Sequence, residues 1–304
     1  MLRKSVENAT LEETQRITGI SGEKILAAAR MYATSATAMI ATGMGMSQQV
    51  VGTNNVYALM NMMLICGQIG RLNAGINPPR GQNNVQGATD VGCSPRFYPG
   101  YIPVADDANR EKLTKLWDVQ EGILPFQPGL TTVEILQSAH RGEIKGMYIM
   151  GENPMITDPD LTHTRLAIEN LDFLVVQDIF PTETTALADV ILPAASFAEK
   201  NGSFINSDRR VARVRKAVKS PGEARQDWRI IMEIAERMGY SIGSYETSAD
   251  IFNEIAKVAP MMGGISHERM GKGGIQWPCP TKNHPGTPTL FLDRFNPGYG
   301  GKCS

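Results

Sequence analysis

The chain has 304 residues, 42% apolar and 20% charged, which gives room for about two domains and the composition of a globular rather than a disordered protein. A formal charge of −1 makes no case for nucleic acid or an anionic membrane as the main partner. No apolar run reaches the roughly 18 residues of a transmembrane helix, so no membrane span is expected.

The opening Met1–Asn8 carries charges without an apolar signal core, which on its face favours the cytoplasm. Thr10 with Glu13 then reads as a capping box that opens a short helix ended by Gly19, and Ser21 caps a second helix to about Thr34. The apolar run Ala38–Thr42, bounded by Gly43, predicts a buried strand. Val56–Ile69 predicts a strongly apolar helix, with Met60, Met62 and Met63 read as core packing because thioethers fill irregular interiors. Residues 70–109 hold many Gly, Pro and Asn and no sustained period, and so long an irregular stretch in a compact protein is usually functional.

Helices follow at Arg110–Trp117 and Thr132–His140, then a strand at Gly146–Met150, a helix at Leu161–Glu169, a strand at Phe173–Gln177, a helix at Glu183–Ala188 and a short strand at Val190–Leu192. Strands alternating with helices imply a parallel sheet covered on both faces. Beyond Pro193, Ser203–Asn206 and Val211–Val214 form two extended pieces around Asp208-Arg209-Arg210. A helix then spans Gln226–Met238, and Ser248 caps another to Val258. The tail from Met261 resolves into no closed unit. The cysteines Cys66, Cys93, Cys279 and Cys303 read as reduced and structural. Neither they nor His140, His163, His267 and His284 have the spacing of a zinc or iron–sulfur motif.

Chemistry concentrates in Asn77–Gly87. Pro78 and Pro79 stiffen the approach and place Arg80 on a rigid stem, while Gly81 and Gly87 let backbone come close to whatever the loop covers. Gln82, Asn83, Asn84 and Gln86 each offer donors and acceptors, a set suited to a flat heterocycle, and Arg80 suits an anion beside it. A plain polar turn is the competing reading. Ligands of open parallel sheets bind at the carboxyl ends of the strands, which selects the loops Gly43–Gln48, Gly151–Asp158 and Gln177–Thr184. The first resembles a dinucleotide fingerprint, but Gln48 replaces its third glycine and disfavours a nicotinamide site. Asp178 reads either as an acceptor for a guanine edge or as the cap of its own turn. Arg209, Arg210, Arg213, Arg215, Lys216 and Lys219 read as a solvated β edge or, alternatively, as facing a buried acidic or cluster-bearing neighbour.

On Gly43–Gln48, Gly75–Gly92, Tyr148–Asp158, Val175–Phe180 with Ala188–Pro193, and Gln226-Asp227-Trp228, the chain resembles the catalytic α subunit of molybdenum- or tungsten-dependent formate dehydrogenases, within the bis-molybdopterin guanine dinucleotide oxidoreductases. The likeness runs from about Thr10 to Arg294. It implies an α/β fold of parallel Rossmann-like sheets with helices on both faces, made of incomplete halves of the family's domains, plus a small β/α C-terminal part. The implied divisions are 1–82, 83–196 and 197–304.

The resemblance further implies that Arg80 is the active-site arginine that holds formate on its way to carbon dioxide. By the same likeness Met44, Gln48 and Gln82 are pterin contacts. Gly151, Asn153, Thr157, Gln177, Asp178 and Asp227 hold a guanine dinucleotide arm. Asn153 stands where some relatives have a carboxylate, and Ala194 where a hydroxyl occurs. The family's (4Fe–4S) module, its Cys-His or selenocysteine-His pair and its C-terminal cap have no counterpart in this sequence. The expectation is therefore the middle of a longer subunit, a gene fragment or one piece of a split enzyme, inactive alone and working with its missing parts and an electron-transfer subunit. On that view the absent signal core says little about compartment. The alternative is a catalytically silent molybdopterin-binding or assembly module, or a fragment of another oxidoreductase of the family.

Overall fold

Thr10 opens the first helix by accepting a hydrogen bond from Glu13 N at 3.2 Å, and Gly19, at φ 71°, closes it, so α1 spans Leu11–Thr18. The computed structural model describes residues 4 and 6–290, which divide into two compact units. One runs up to Gly81 and resumes at Pro288, and the other is Gln82–Thr287.

In the first unit α2 (Gly22–Thr34) follows, with Ser21 at its N-cap making no side-chain bond. Gly22 N is instead met by Gln15 Oε1 at 2.9 Å. Strand β1 (Met39–Ala41) is shorter than Ala38–Thr42 and not buried, with Met39 54% exposed. The correction has a simple cause, because β1 has one partner strand and such a ribbon leaves side chains open. A single turn, α3 (Met44–Ser47), leads to α4 (Gly52–Ile65). That helix starts four residues before the expected Val56, where a Cβ on Gly52 would lie 1.9 Å from Ser47 O.

It also stops four residues before Ile69. Gln68, 1% exposed, leaves the helix so that its amide can donate to Ser35 O and accept from Ala38 N, each at 3.0 Å. Of the helix methionines, Met63 is core at 7% exposure and Met60 is 40% exposed. Strand β2 (Gly75–Asn77) pairs parallel with β1, Ala41 opposite Asn77.

The second unit begins with α5 (Val85–Asp90) and a small hairpin, β3 (Phe97–Tyr98) with β4 (Ile102–Pro103), so the irregular 70–109 stretch contains regular pieces. Helix α6 (Asp107–Trp117) is capped by Asp106 and α7 (Thr132–His140) by a full Thr131–Glu134 capping box. Strand β5 (Gly146–Met150), the short α8 (Pro154–Thr157), α9 (Leu161–Glu169), β6 (Phe173–Asp178) and β7 (Val190–Pro193) follow. The expected helix at Glu183–Ala188 is one 3₁₀ turn, Thr185–Leu187, because Thr182 and Thr185 trade side-chain and backbone hydrogen bonds there.

Strands β5, β6 and β7 form a parallel sheet in that order. Ile149, Leu174 and Val176 of this sheet pack with Leu136, Ala139, Ala167 and Ile168 of α7 and α9. Two antiparallel strands, β8 (Gly202–Ile205) and β9 (Arg210–Val214), come next. They are followed by α10 (Asp227–Arg237), α11 (Ser248–Val258, capped by Thr247 rather than Ser248) and β10 (Ile275–Gln276).

The basic cluster is not an edge. Strand β9 lies between β8 and β10, and the Arg209 guanidinium donates to Trp277 O and Thr287 O. Residues of the 261–287 stretch, although without periodicity, contribute Met262, Ile265, Met270, Ile275 and Cys279 to a core with Ile205, Val211 and Phe252. Among the described residues no helix is long and apolar enough to cross a membrane. The α/β class stands as read, as does parallel pairing for β1 with β2 and for β5, β6 and β7.

Leu174, 2% exposed, is the largest aliphatic side chain that β6 puts into its core. Leu174→Ala is expected to lower unfolding free energy by about 2–5 kcal/mol, read from urea denaturation. A loss below about 1 kcal/mol would show that β6 is not a core strand.

Candidate functional site

Parallel pairing sends successive loops out of the same edge of a sheet. In the first unit β1 and β2 end side by side, with Thr42 N donating to Asn77 O at 3.2 Å. The Gly43–Gln48 loop and the Pro78–Arg80 segment therefore leave neighbouring strand ends. Met44, 62% exposed, and Gln48 stand in and just after α3, and Arg80 is exposed beyond β2.

In the second unit the edge is built from β5, β6 and β7. Gly151, at φ 65° with no atom within 4 Å of where a Cβ would sit, turns the chain into an open cradle after β5. Asn153 then bridges two loops. Its Nδ2 donates to Glu183 Oε2 at 2.9 Å, and its Oδ1 accepts from Thr184 Oγ1 at 2.7 Å and Thr184 N at 3.3 Å. A carboxylate on one side and donors on the other fix the orientation of the amide. The bond from Asn153, with the Glu183 amide second, holds the Glu183 carboxyl below its ordinary range. Thr157 donates to Glu152 Oε1 at 2.8 Å.

Gln177 is wholly buried at the end of β6. Its Oε1 accepts from the Tyr148 hydroxyl, and its Nε2 donates to Asp227 Oδ1 at 2.8 Å, at the start of α10. The other oxygen of Asp227 is paired with Lys200. Burial, and then the Asp227 charge, push the Tyr148 phenol up, so it stays a donor. Asp178 Oδ1 accepts from the next amide, Ile179 N, at 2.6 Å, and the exposed ring of Phe180 follows.

Asp158 closes the first loop with an unusual state. Its Oδ2 is buried and has no hydrogen-bond partner among the described residues. Burial, and then the charge of Glu152, raise its carboxyl. The open glycine turn and the Asp178 carboxylate leave acceptors at the carboxyl edge of the sheet, which suits a polar heterocycle carrying N–H donors.

Gly151, Asn153, Thr157, Gln177, Asp178 and Asp227 are thus brought to one edge of one sheet. Gln82 is exposed ahead of α5, a helix that lies against β8 rather than on that edge. Of the four amides Gln82, Asn83, Asn84 and Gln86, two turn inward. Asn84 Oδ1 accepts from Ile205 N at 3.0 Å, and buried Gln86 donates to Asp90 Oδ1 at 2.8 Å. Gln82 and Asn83 stay exposed. Sequence reasoning assigned no role to Tyr148, Thr184 or Lys200, whose partners lie 27 to 31 residues away. The one available signal was the position of Thr184 in a loop already selected.

The family model "Molybdopterin oxidoreductase" matches residues 8–237. The chain is 46% identical over 295 residues to the F420-dependent formate dehydrogenase 2 subunit alpha of Methanococcus maripaludis, covering 97% of this chain and 43% of that protein. It is 44% identical over 301 residues to formate dehydrogenase H of Escherichia coli, covering 98% of this chain and 42% of that protein. The chain therefore spans less than half the length of these curated relatives. Among solved structures, acetylene hydratase from Pelobacter acetylenicus superposes with a TM-score of 0.63 at 18% identity, covering 88% of this chain and 39% of that one, a likeness of fold.

Two outcomes follow from the geometry. Gln177→Leu leaves Asp227 and Tyr148 without their shared partner and is expected to cost about 1–3 kcal/mol in urea unfolding, whereas an unchanged midpoint would remove the network. The Asp158 carboxyl has a folded pKa above its unfolded one, so the folded chain binds that proton more tightly. Its ionisation therefore takes stability away as pH rises from the unfolded value, near about 3.9, through the folded one. Asp158→Asn should be neutral below that window and stabilising above it. Equal urea midpoints for the two chains above the window would refute the burial of this carboxyl.

Proposed function

Because this chain belongs to the molybdopterin oxidoreductase family, we propose that it is part of a formate dehydrogenase catalytic subunit, which oxidises formate to carbon dioxide with release of one proton and two electrons. The observation that carries the reading is likeness across nearly the whole chain to proteins named for formate oxidation. The cofactor is read as molybdopterin in its guanine dinucleotide form, with molybdenum or tungsten. The (4Fe–4S) cluster and the electron-transfer partner are read as lying outside this sequence. Divisions at 1–82, 83–196 and 197–304 complete the reading.

When bound, the pterin-held metal supplies the acceptor for the two electrons. What the residues of this chain contribute is placement. Arg80, on its proline stem, binds the formate carboxylate through a planar fork and fixes the direction of the C–H bond. Its charge binds the anion but favours neutral carbon dioxide less, so orientation is the larger part of its contribution. Met44, Gln48 and Gln82 face the pterin. Gly151 lets backbone approach the dinucleotide arm, and Asn153 and Thr157 shape the loop beside it. Asp178 reads the guanine edge with the oxygen that Ile179 N does not occupy, while Gln177 and Asp227 hold that wall together.

The test uses the complete polypeptide that carries this sequence. Arg80→Lys keeps the charge and loses the fork, and kcat/KM for formate is expected to fall about 10²-fold at unchanged pterin content, measured by formate-dependent dye reduction. A variant within about threefold of the parent would take Arg80 out of the site.

A further inference from the structure

The chain passes from one compact unit to the other between Gly81 and Gln82. Whatever anchors it just beyond that crossing sets where Gln82 and Asn83 stand. Asn84 occupies the N-cap of α5, where an asparagine ordinarily accepts from an amide of its own first turn, and it makes no such bond. Its Oδ1 accepts instead from Ile205 N at the end of β8, 121 residues away.

Gly87 is the residue that makes room for this bond. A Cβ there would lie 2.2 Å from Asn84 Oδ1 and 3.3 Å from Ile205 Cγ1. The helix behind the bond is tied down as well. Wholly buried Asp90 accepts from Gln86 Nε2 at 2.8 Å, from the Tyr101 hydroxyl at 2.6 Å and from Trp277 Nε1 at 2.7 Å. The chain from Asn84 through α5 is therefore anchored, and the two amides just before it are exposed.

We propose that Asn84 is a positioning residue for Gln82, the amide read as a pterin contact, and for its neighbour Asn83. Released from capping, its side chain latches the start of α5 onto β8 and thereby holds Gln82 and Asn83 outward. Strand satisfaction alone is the competing account, since the Ile205 amide needs an acceptor in either case. The inference rests on the reading of Gln82 as a pterin contact, though not on the identity of the substrate.

The test uses the complete, cofactor-loaded polypeptide from its native host. Asn84→Leu removes the acceptor, Gly87→Ala crowds it, and Asn84→Asp keeps an Oδ1 in place. Two quantities are followed, hydrogen exchange at the Ile205 amide and release of pterin from the folded protein, read by pterin fluorescence. The Leu and Ala variants should free the Ile205 amide and release pterin about three- to tenfold faster, the factor that one ordinary hydrogen bond carries. Asn84→Asp should stay within about twofold of the parent.

Parental pterin release from an Asn84→Leu chain whose Ile205 amide exchanges freely overturns the proposal. So does equal loss in the Asp and Leu variants. Where Asn84→Leu fails to fold, the Gly87→Ala and Asn84→Asp chains decide alone. Dye reduction by the parent is recorded separately. A pterin-loaded parent inert to formate ends the substrate reading, and the latch is still judged by release.

Discussion

A buried amide must have both of its ends satisfied, and at Gln177 that requirement organises the second unit. The side chain is wholly inaccessible at the last turn-out of the central strand, so a donor must come to its oxygen and an acceptor to its nitrogen. Tyr148 supplies one from the neighbouring strand and Asp227 the other from a helix 50 residues on, and Lys200 then neutralises Asp227. Each partner comes from a different element. Satisfying one amide thus docks the start of α10 against the carboxyl edge of the sheet and brings Lys200, just ahead of β8, to the same place. Leaving any member unpaired would cost more than the bond itself gains, which is why such a network holds its geometry.

The same logic separates structural from available polar groups in the Asn77–Gly87 stretch. Four amides of similar chemistry sit within five positions, and only their surroundings distinguish them. Asn84 finds a fixed partner on distant backbone and Gln86 one a helical turn away, whereas Gln82 and Asn83 are exposed. In the first unit, parallel pairing of β1 with β2 gives the Met44 and Arg80 segments a common point of departure. A twisted pair of strands with few residues is enough for this, because direction rather than length determines where loops emerge.

What was legible from residues alone follows how local the causes are. Thr132–His140, Gly146–Met150 and Leu161–Glu169 come out at the expected residues because caps, periodicity and flanking glycines act within a few positions. The rule that ligands bind where strands end selected the Asn153 and Asp178 loops, and both do leave the carboxyl ends of β5 and β6. Non-local causes were not legible. Gln68 ends α4 early to serve carbonyl and amide groups more than 29 residues back, and Arg209 reaches carbonyls 68 and 78 residues ahead. No window along the chain contains those partners. Nor could composition tell a wet β edge from the middle strand of three, since the arginines in and just after β9 reach carbonyls of the segment that leads into β10: Arg210 to Gly273 O, Arg215 to Gly271 O.

Asn153 gives a hydrogen to Glu183 from its nitrogen and takes one from Thr184 on its oxygen, two separate atoms of one short side chain. An aspartate there could still satisfy Thr184, but it would set a second negative charge against Glu183 and leave that acid without its donor. The two places are therefore coupled, so that a change at one alters what the other costs. An acid at the first place sets two like charges against each other for as long as the second keeps its own.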